Sequence, residues 1–194
     1  DLVQLPIRDM RQIRGRDISM IFQEPGTSLN PVYRVGDQVM EAMRQHQSLS
    51  KADARRKTID LFREVGIPEP ERRVDSYPHE MSGGQKQRLS VACALAGRPE
   101  VLFLDEPTTG LDPQSRRQLW DVLARFKADG RTIVITTHYM DEAHALCDRV
   151  GIMDHGSLIA LGTPRELVAS IGAEHVLEFN VSGAAPAESV LRAL

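Results

Sequence analysis

Two groups of residues in this 194-residue chain have the types and spacing to act on an anion. The first is Ser82, Gly83, Gly84 and Gln85 in YPHEMSGGQKQRLS, where a turn-rich stretch gives way to a helical one. A helix N-terminus offers unpaired amides and the positive end of a dipole, and an anion binds there. The glycines let backbone amides approach a phosphate with no Cβ in the way, the Ser82 hydroxyl adds a donor, and Gln85 and Arg88 follow on the helix. In isolation, SGG is equally an ordinary flexible helix start.

The second group begins with Asp105 and Glu106 in VLFLDEPTTGLD. A hydrophobic strand ending in adjacent carboxylates can deliver one to a hydrated metal ion and the other to a water as general base. Alone, such a pair is also a solvated turn. His138 follows the strand-like TIVITT, and Gln23 follows ISMIF. In a parallel sheet, residues just past each strand emerge at one C-terminal edge, where open α/β sheets place ligands. Glu106 and His138 can then reach one γ-phosphate, and the Gln23 amide a metal or a water; Gln23 as a plain loop residue stays open. Asp112 before Pro113 makes a good N-cap, a role that suffices by itself.

These residues need elements to hold them. ISMIF, VLFLD, TIVIT and RVGIM read as buried strands. Those from VLFLD to RVGIM alternate with helical stretches, the pattern of a parallel α/β sheet. A helix is expected after Ser50, with Ser50 and Asp53 as its cap and Gly66 and Pro68 as its stop. Others are expected from Ser82 to Ala96, over Leu119 to Phe126, and from Pro164 after Thr163. Beyond Gly172, HVLEFNV suggests a strand of a different unit and GAAPAESVLRAL the start of a helix.

The 24 Lys and Arg against 27 Asp and Glu give a formal net charge of −3, which argues against nucleic-acid binding through an overall basic surface. Cys93 and Cys147 lack metal-ligand spacing and read as structural thiols of a reducing compartment. No run approaches the roughly 20 apolar residues of a membrane span, so a chain soluble by itself is expected. It opens on Asp1 rather than Met, and an N-terminal segment is expected to precede it.

Taken in order, Gln23, MSGGQ, VLFLDEP, TGLD and His138 resemble the Q-loop, signature, Walker B, D-loop and H-loop of the ATP-binding cassette (ABC) ATPases. The resemblance covers about residues 1–172, and Met81 replaces the more common Leu. It implies an α/β, P-loop NTPase-like parallel sheet, incomplete here, with an inserted α-helical signature subdomain over residues 24–97. Residues 173–194 would begin an accessory segment. It further implies ATP and Mg²⁺ as cofactors. Glu106, His138 and Gln23 would be catalytic, Asp105 and Gln23 would serve the metal, and Ser82, Gly83, Gly84, Gln85 and Asp112 would bind nucleotide. The partners implied are transmembrane permease subunits and a second cassette, identical or not, in a head-to-tail dimer at the cytoplasmic face of the cell membrane. Each ATP in such a dimer lies between the P-loop of one subunit and the signature of the other.

No GxxxxGK[ST] occurs in the 194 residues. The family places this P-loop upstream of the Q-loop, so the chain is expected to start after it, to fold with difficulty around unpaired strand edges, and not to hydrolyse ATP alone. The stretch from Ile13 to Met43 resembles peptide and nickel importers, whereas the part from about Val91 resembles drug and polysaccharide-type exporters. A join of two genes near MSGGQ and an unusual authentic lineage both accommodate this. The segment from Glu24 to Gln47, with Pro25, Leu29, Pro31, Val32 and Tyr33, is where the family docks its membrane partner, and these residues could equally pack internally. The rivals are a soluble cassette ATPase of DNA repair or translation and a non-catalytic fragment that pairs with complete cassettes.

Overall fold

Three short apolar runs pair side by side in parallel in the structure, a computed structural model that describes residues 2–23 and 29–170. They are β1 (Ile18–Ile21), β2 (Val101–Asp105) and β3 (Thr132–Thr136), in that order across the sheet. Ile18 lies beside Val101 and Val101 beside Thr132. Side chains alternate between faces with period two, so Ser19 and Ile21, Leu102 and Leu104, and Ile133 and Ile135 share one face. That face meets the helices. The opposite face carries Met20, Phe103 and Val134 in one register row, 51%, 37% and 44% exposed. Parallel sheets are ordinarily covered on both faces; among the described residues, this one is covered on one.

The chain divides into two compact units, Asp1–Leu146 and Cys147–Leu194. In the first, α1 (Ile7–Ile13) precedes β1, and α2 (Val35–His46), α3 (Lys51–Glu64), α4 (Pro70–Arg73) and α5 (Gly83–Leu95) lie between β1 and β2. Helix α6 (Pro113–Ala128) joins β2 to β3, and α7 (Met140–Leu146) follows β3. Val39, Phe62, Leu89, Leu102, Leu119 and Leu123 belong to one buried cluster that ties α2, α3, α5 and α6 to β2. Each such Leu or Phe contributes about 1.5–3 kcal/mol by leaving water. Cys93 packs against this cluster, and burial pushes its thiol up to about 12, the behaviour of an inert structural cysteine.

The caps expected from sequence are present. Asp53 N–H donates to Ser50 Oγ at 3.1 Å at the start of α3, and Gly66 takes φ +74° just past its end. Helix α2 is a finding beyond the sequence reading; it buries Val35, Val39, Met40 and Met43 on one face. Leu29 joins the core, whereas Val32 and Tyr33 are 72% and 59% exposed. Pro25 lies outside the described residues.

The entry to α2 is held tightly. A Cβ on Gly36 would sit 2.3 Å from the Val74 carbonyl oxygen, which accepts the Gly36 N–H at 3.0 Å. Next to it, Asp75 accepts from Arg55 at 2.9 and 2.5 Å and from Arg34 at 3.2 Å, linking α3 to the residue before α2.

In the second unit, β4 (Val150–Asp154) and β5 (Ser157–Gly162) pair antiparallel, and α8 (Pro164–Ser170) follows. Thr163 and Glu166 cap α8 reciprocally at 2.7 and 3.2 Å, as the sequence suggested. The reading of RVGIM as a further parallel strand is corrected. Its partner is β5, across a two-residue turn in which His155 and Gly156 have φ +45° and +75°. Positive φ at both positions matches the right-handed twist of a hairpin. HVLEFNV and the helix expected after it lie outside the described residues.

The hydrogen bond from Arg55 holds the Asp75 carboxyl below its ordinary value. A group whose pKa is depressed on folding stabilises the fold above its unfolded value, near 3.9, and loses that contribution as pH falls through the folded value. The carboxylate is half exposed, so the effect is modest. Asp75→Asn is therefore expected to lower the urea midpoint at pH 7, with the difference from the unchanged chain shrinking towards zero as pH falls through the folded value of Asp75.

Candidate functional site

The parallel register brings the ends of β1, β2 and β3 to one edge, and the residues just past them meet there. Gln23 Nε2 donates to Glu106 Oε2 at 2.8 Å, Thr109 Oγ1 donates to the same oxygen at 3.1 Å, and His138 Nδ1 lies 3.4 Å from it. Three residues 32 or more positions apart in sequence, Gln23, Glu106 and His138, thus converge on one carboxylate oxygen.

Glu106 reaches this place through a left-handed backbone, φ +44°. Such a conformation costs of order 1–3 kcal/mol for a residue with a Cβ and persists where the surroundings over-determine it. Thr136 does so: the Glu106 N–H donates to its carbonyl at 3.0 Å and approaches its Oγ1 at 3.2 Å. Thr136 Oγ1 in turn donates to Asp105 Oδ1 at 2.5 Å. One threonine thus holds the Asp105 carboxylate and the Glu106 backbone. Sequence reasoning missed it; the available signal was a hydroxyl residue at the end of the strand beside VLFLD, and Thr136 is the register partner of Asp105.

The second group forms around the start of α5. Ser82 is its N-cap: Gln85 N–H donates to Ser82 Oγ at 3.3 Å, and Ser82 N–H donates to Gln85 Oε1 at 3.0 Å. A Cβ on Gly83 would meet nothing within 4 Å, so there is open space beside it, whereas a Cβ on Gly84 would touch Ser115 Oγ at 3.3 Å. Asp112 caps α6, accepting from Gln114 and Ser115 N–H at 3.0 and 2.9 Å. The hydrogen bonds from Ser115 hold its carboxyl below the ordinary value. Arg88 donates to Gly66 O at 2.5 Å and to Gln118 Oε1, joining α5 to α6. Burial lowers its pKa, and Asp112 opposes that shift.

Gln23, Asp105, Glu106 and His138 are therefore brought together, and Ser82, Gly83, Gly84, Gln85 and Asp112 form a separate group. Among the described residues no hydrogen bond joins the two. The Gln23 amide is turned to Glu106, and the described residues include no group of three or more His, Cys, Asp or Glu arranged to hold a metal ion.

The sequence profile of the ABC transporter family matches residues 2–109, more than half of the chain. The chain belongs to the ABC transporter family. Over 168 residues, 86% of its length, it is 44% identical to the peptidoglycan transport ATP-binding protein YejF of Agrobacterium fabrum and 41% identical to the oligopeptide transport ATP-binding protein OppD of Bacillus subtilis. Those matches span 31% and 47% of the relatives, so the chain corresponds to half or less of their length. Among solved structures, the cassette MJ0796 in a dimeric post-hydrolysis state with ADP and Pi superposes with a TM-score of 0.75 at 25% identity. That match covers 84% of this chain and 69% of that one. CbiO1 of Clostridium perfringens gives 0.70 at 32% identity, covering 85% and 62%. The ABC ATPase fold is thereby shown.

Removal of an N-cap hydroxyl costs about 1 kcal/mol. Ser82→Ala is expected to lower stability by about that amount in urea denaturation, because α5 carries Leu89 and Val91 into the core.

Proposed function

We propose that this chain is part of the ATP-hydrolysing subunit of an ABC transporter of the peptide-transport class. The convergence of Gln23, Glu106 and His138 on one carboxylate oxygen carries the reading. In it, Glu106 acts as general base on the attacking water, Gln23 orients that water, and His138 contacts the γ-phosphate. Asp105, whose Oδ1 is steadied by Thr136, would hold Mg²⁺ together with phosphate and water oxygens; Mg²⁺ commonly takes only one or two carboxylates in such sites. The ion would neutralise charge on the phosphates.

The open space beside Gly83 and the capped start of α5 suit a nucleotide held by a second cassette, so Ser82, Gly83, Gly84 and Gln85 would complete the partner's site and Asp112 would line the interface. The matches to peptide-transport proteins run over 168 residues on both sides of MSGGQ, which supports uptake of peptides over export. Exposed Val32 and Tyr33, next to the Q-loop, are suited to contact a membrane subunit at the cytoplasmic face. No helix among the described residues is long and apolar enough to cross a membrane.

With no GxxxxGK[ST] in its 194 residues, the chain lacks the usual cradle for its own β- and γ-phosphates. It is expected to release no phosphate from ATP alone; turnover lost on Glu106→Gln would overturn this. Mixed with an intact peptide-transport cassette, it is expected to change that cassette's hydrolysis rate, and Gly83→Asp should abolish the change. The aspartate has room, and at a helix N-terminus it is worth about 0.3–1 kcal/mol in favour of folding. The same charge repels phosphate. A mixture with an unchanged rate would argue against pairing.

A further inference from the structure

His138 is set from behind as well as from Glu106. The Tyr139 ring lies with its centroid 4.2 Å from that of His138, tilted by 37°. On Tyr139 sits the guanidinium of Arg116, its central carbon 4.1 Å from the ring centroid. Arg116 is in the first turn of α6, and its N–H donates to the Asp112 carbonyl at 3.0 Å. One turn further along α6, Trp120 Nε1 donates to the carboxylate of Glu142 at 3.0 Å, and Glu142 is fully buried on α7. Residues 116 and 120 share a face of α6, and 139 and 142 are likewise one turn apart, so the two contacts form rungs between the helices.

We propose that Arg116 and Tyr139 are positioning residues for His138, and that they couple its imidazole to the turn at Asp112. The inner rung, Trp120 with Glu142, fixes the spacing of α6 and α7. The outer rung, Arg116 on Tyr139, fixes the plane of the ring against which the imidazole rests. A cation over an aromatic face and a tilted ring pair are both attractive, and both fail when the geometry slips. Any displacement of the Asp112 turn therefore moves the first turn of α6, and with it the Tyr139 ring and the side chain that faces Glu106. That this matters for hydrolysis rests on the reading of His138 as the γ-phosphate contact.

The test needs no nucleotide, so its failure is separate from failure of that reading. The imidazole protons of His138 are assigned among the six histidines by the signal missing in His138→Gln, and the single Trp gives one indole N–H signal that reports the α6–α7 rung. In the unchanged chain, ring current from Tyr139 should move the His138 protons upfield of a free histidine, with a nuclear Overhauser contact between the two rings. Tyr139→Phe should keep the shift. Tyr139→Leu should lose it, and Arg116→Met should reduce it, with the indole signal in place. An unshifted His138 in the unchanged chain, or a full shift in Arg116→Met with a folded indole signal, overturns the proposal. Where Arg116→Met loses the indole signal through unfolding, Arg116→Lys takes its place, read by the same criteria. It keeps the charge but loses the planar face, and is expected to give a reduced shift.

Discussion

Everything at this site depends on the parallel register of three strands. Because Ile21 lies beside Leu104 and Leu104 beside Ile135, the chain leaves all three strands at one level and on one edge. The register brings the residues that follow the strands, Gln23, Glu106 and His138, to that edge. A slip of one residue would reverse the faces of a strand, exposing Leu102 and Leu104 while burying Phe103. The core therefore enforces the register, and the register enforces the site: Leu102 and Leu104 are almost wholly buried, and the helices around them accept no alternative set.

Strain is placed where this enforcement is greatest. The left-handed Glu106 is the first residue past β2, and the bonds that compensate it come from Thr136, on the neighbouring strand. Had they come from its own loop, Glu106 could relax with that loop. Held from β3, it can move only if the sheet does. The carboxylate, by contrast, is met by side chains alone, from Gln23, Thr109 and His138, and these can turn away when a water or a phosphate arrives. A fixed backbone with an adjustable shell of partners suits a base that must exchange one hydrogen-bond partner for another.

The legible parts of the sequence were those with local rules. Ser50 and Asp53, Ser82 and Gln85, Asp112 and Pro113, and Thr163 and Glu166 announce helix starts through short-range bonds, and the structure has all four. VLFLD and TIVIT are short apolar runs, the first buried and the second half-buried on one face, and as strands they too were plain. What escaped depends on partners far away or on unusual backbone. The segment from Glu24 to Gln47 was read, from the family resemblance, as a docking site with internal packing left open, and the helix within it, Val35–His46, packs its apolar face on the core. RVGIM has the composition of a buried parallel strand, and only the two positive φ angles at His155 and Gly156 turn it back on itself. Thr136, Tyr139 and Arg116 carry no motif of their own; their meaning is set by the register and by the approach of α6 to α7.

The caps raise a question of double use, since Ser82 and Asp112 were each explicable as a helix start alone. For Ser82 the two uses are compatible. Its oxygen accepts the Gln85 N–H through a lone pair, which leaves the hydroxyl proton free to donate, and there is open space beside Gly83. Capping thus fixes the oxygen in place without consuming the group a phosphate would use. Asp112 is different. Its Oδ1 is committed to two amides, at 3.0 and 2.9 Å, and its backbone carbonyl also reaches into the first turn of α6. The Asp112 carbonyl, bonded to Arg116 N–H, is the first link towards Tyr139 and His138. A residue that looks merely structural at a helix start can therefore set the geometry of a side chain just ahead of the next helix, because a cap fixes the first turn and that turn carries the contact.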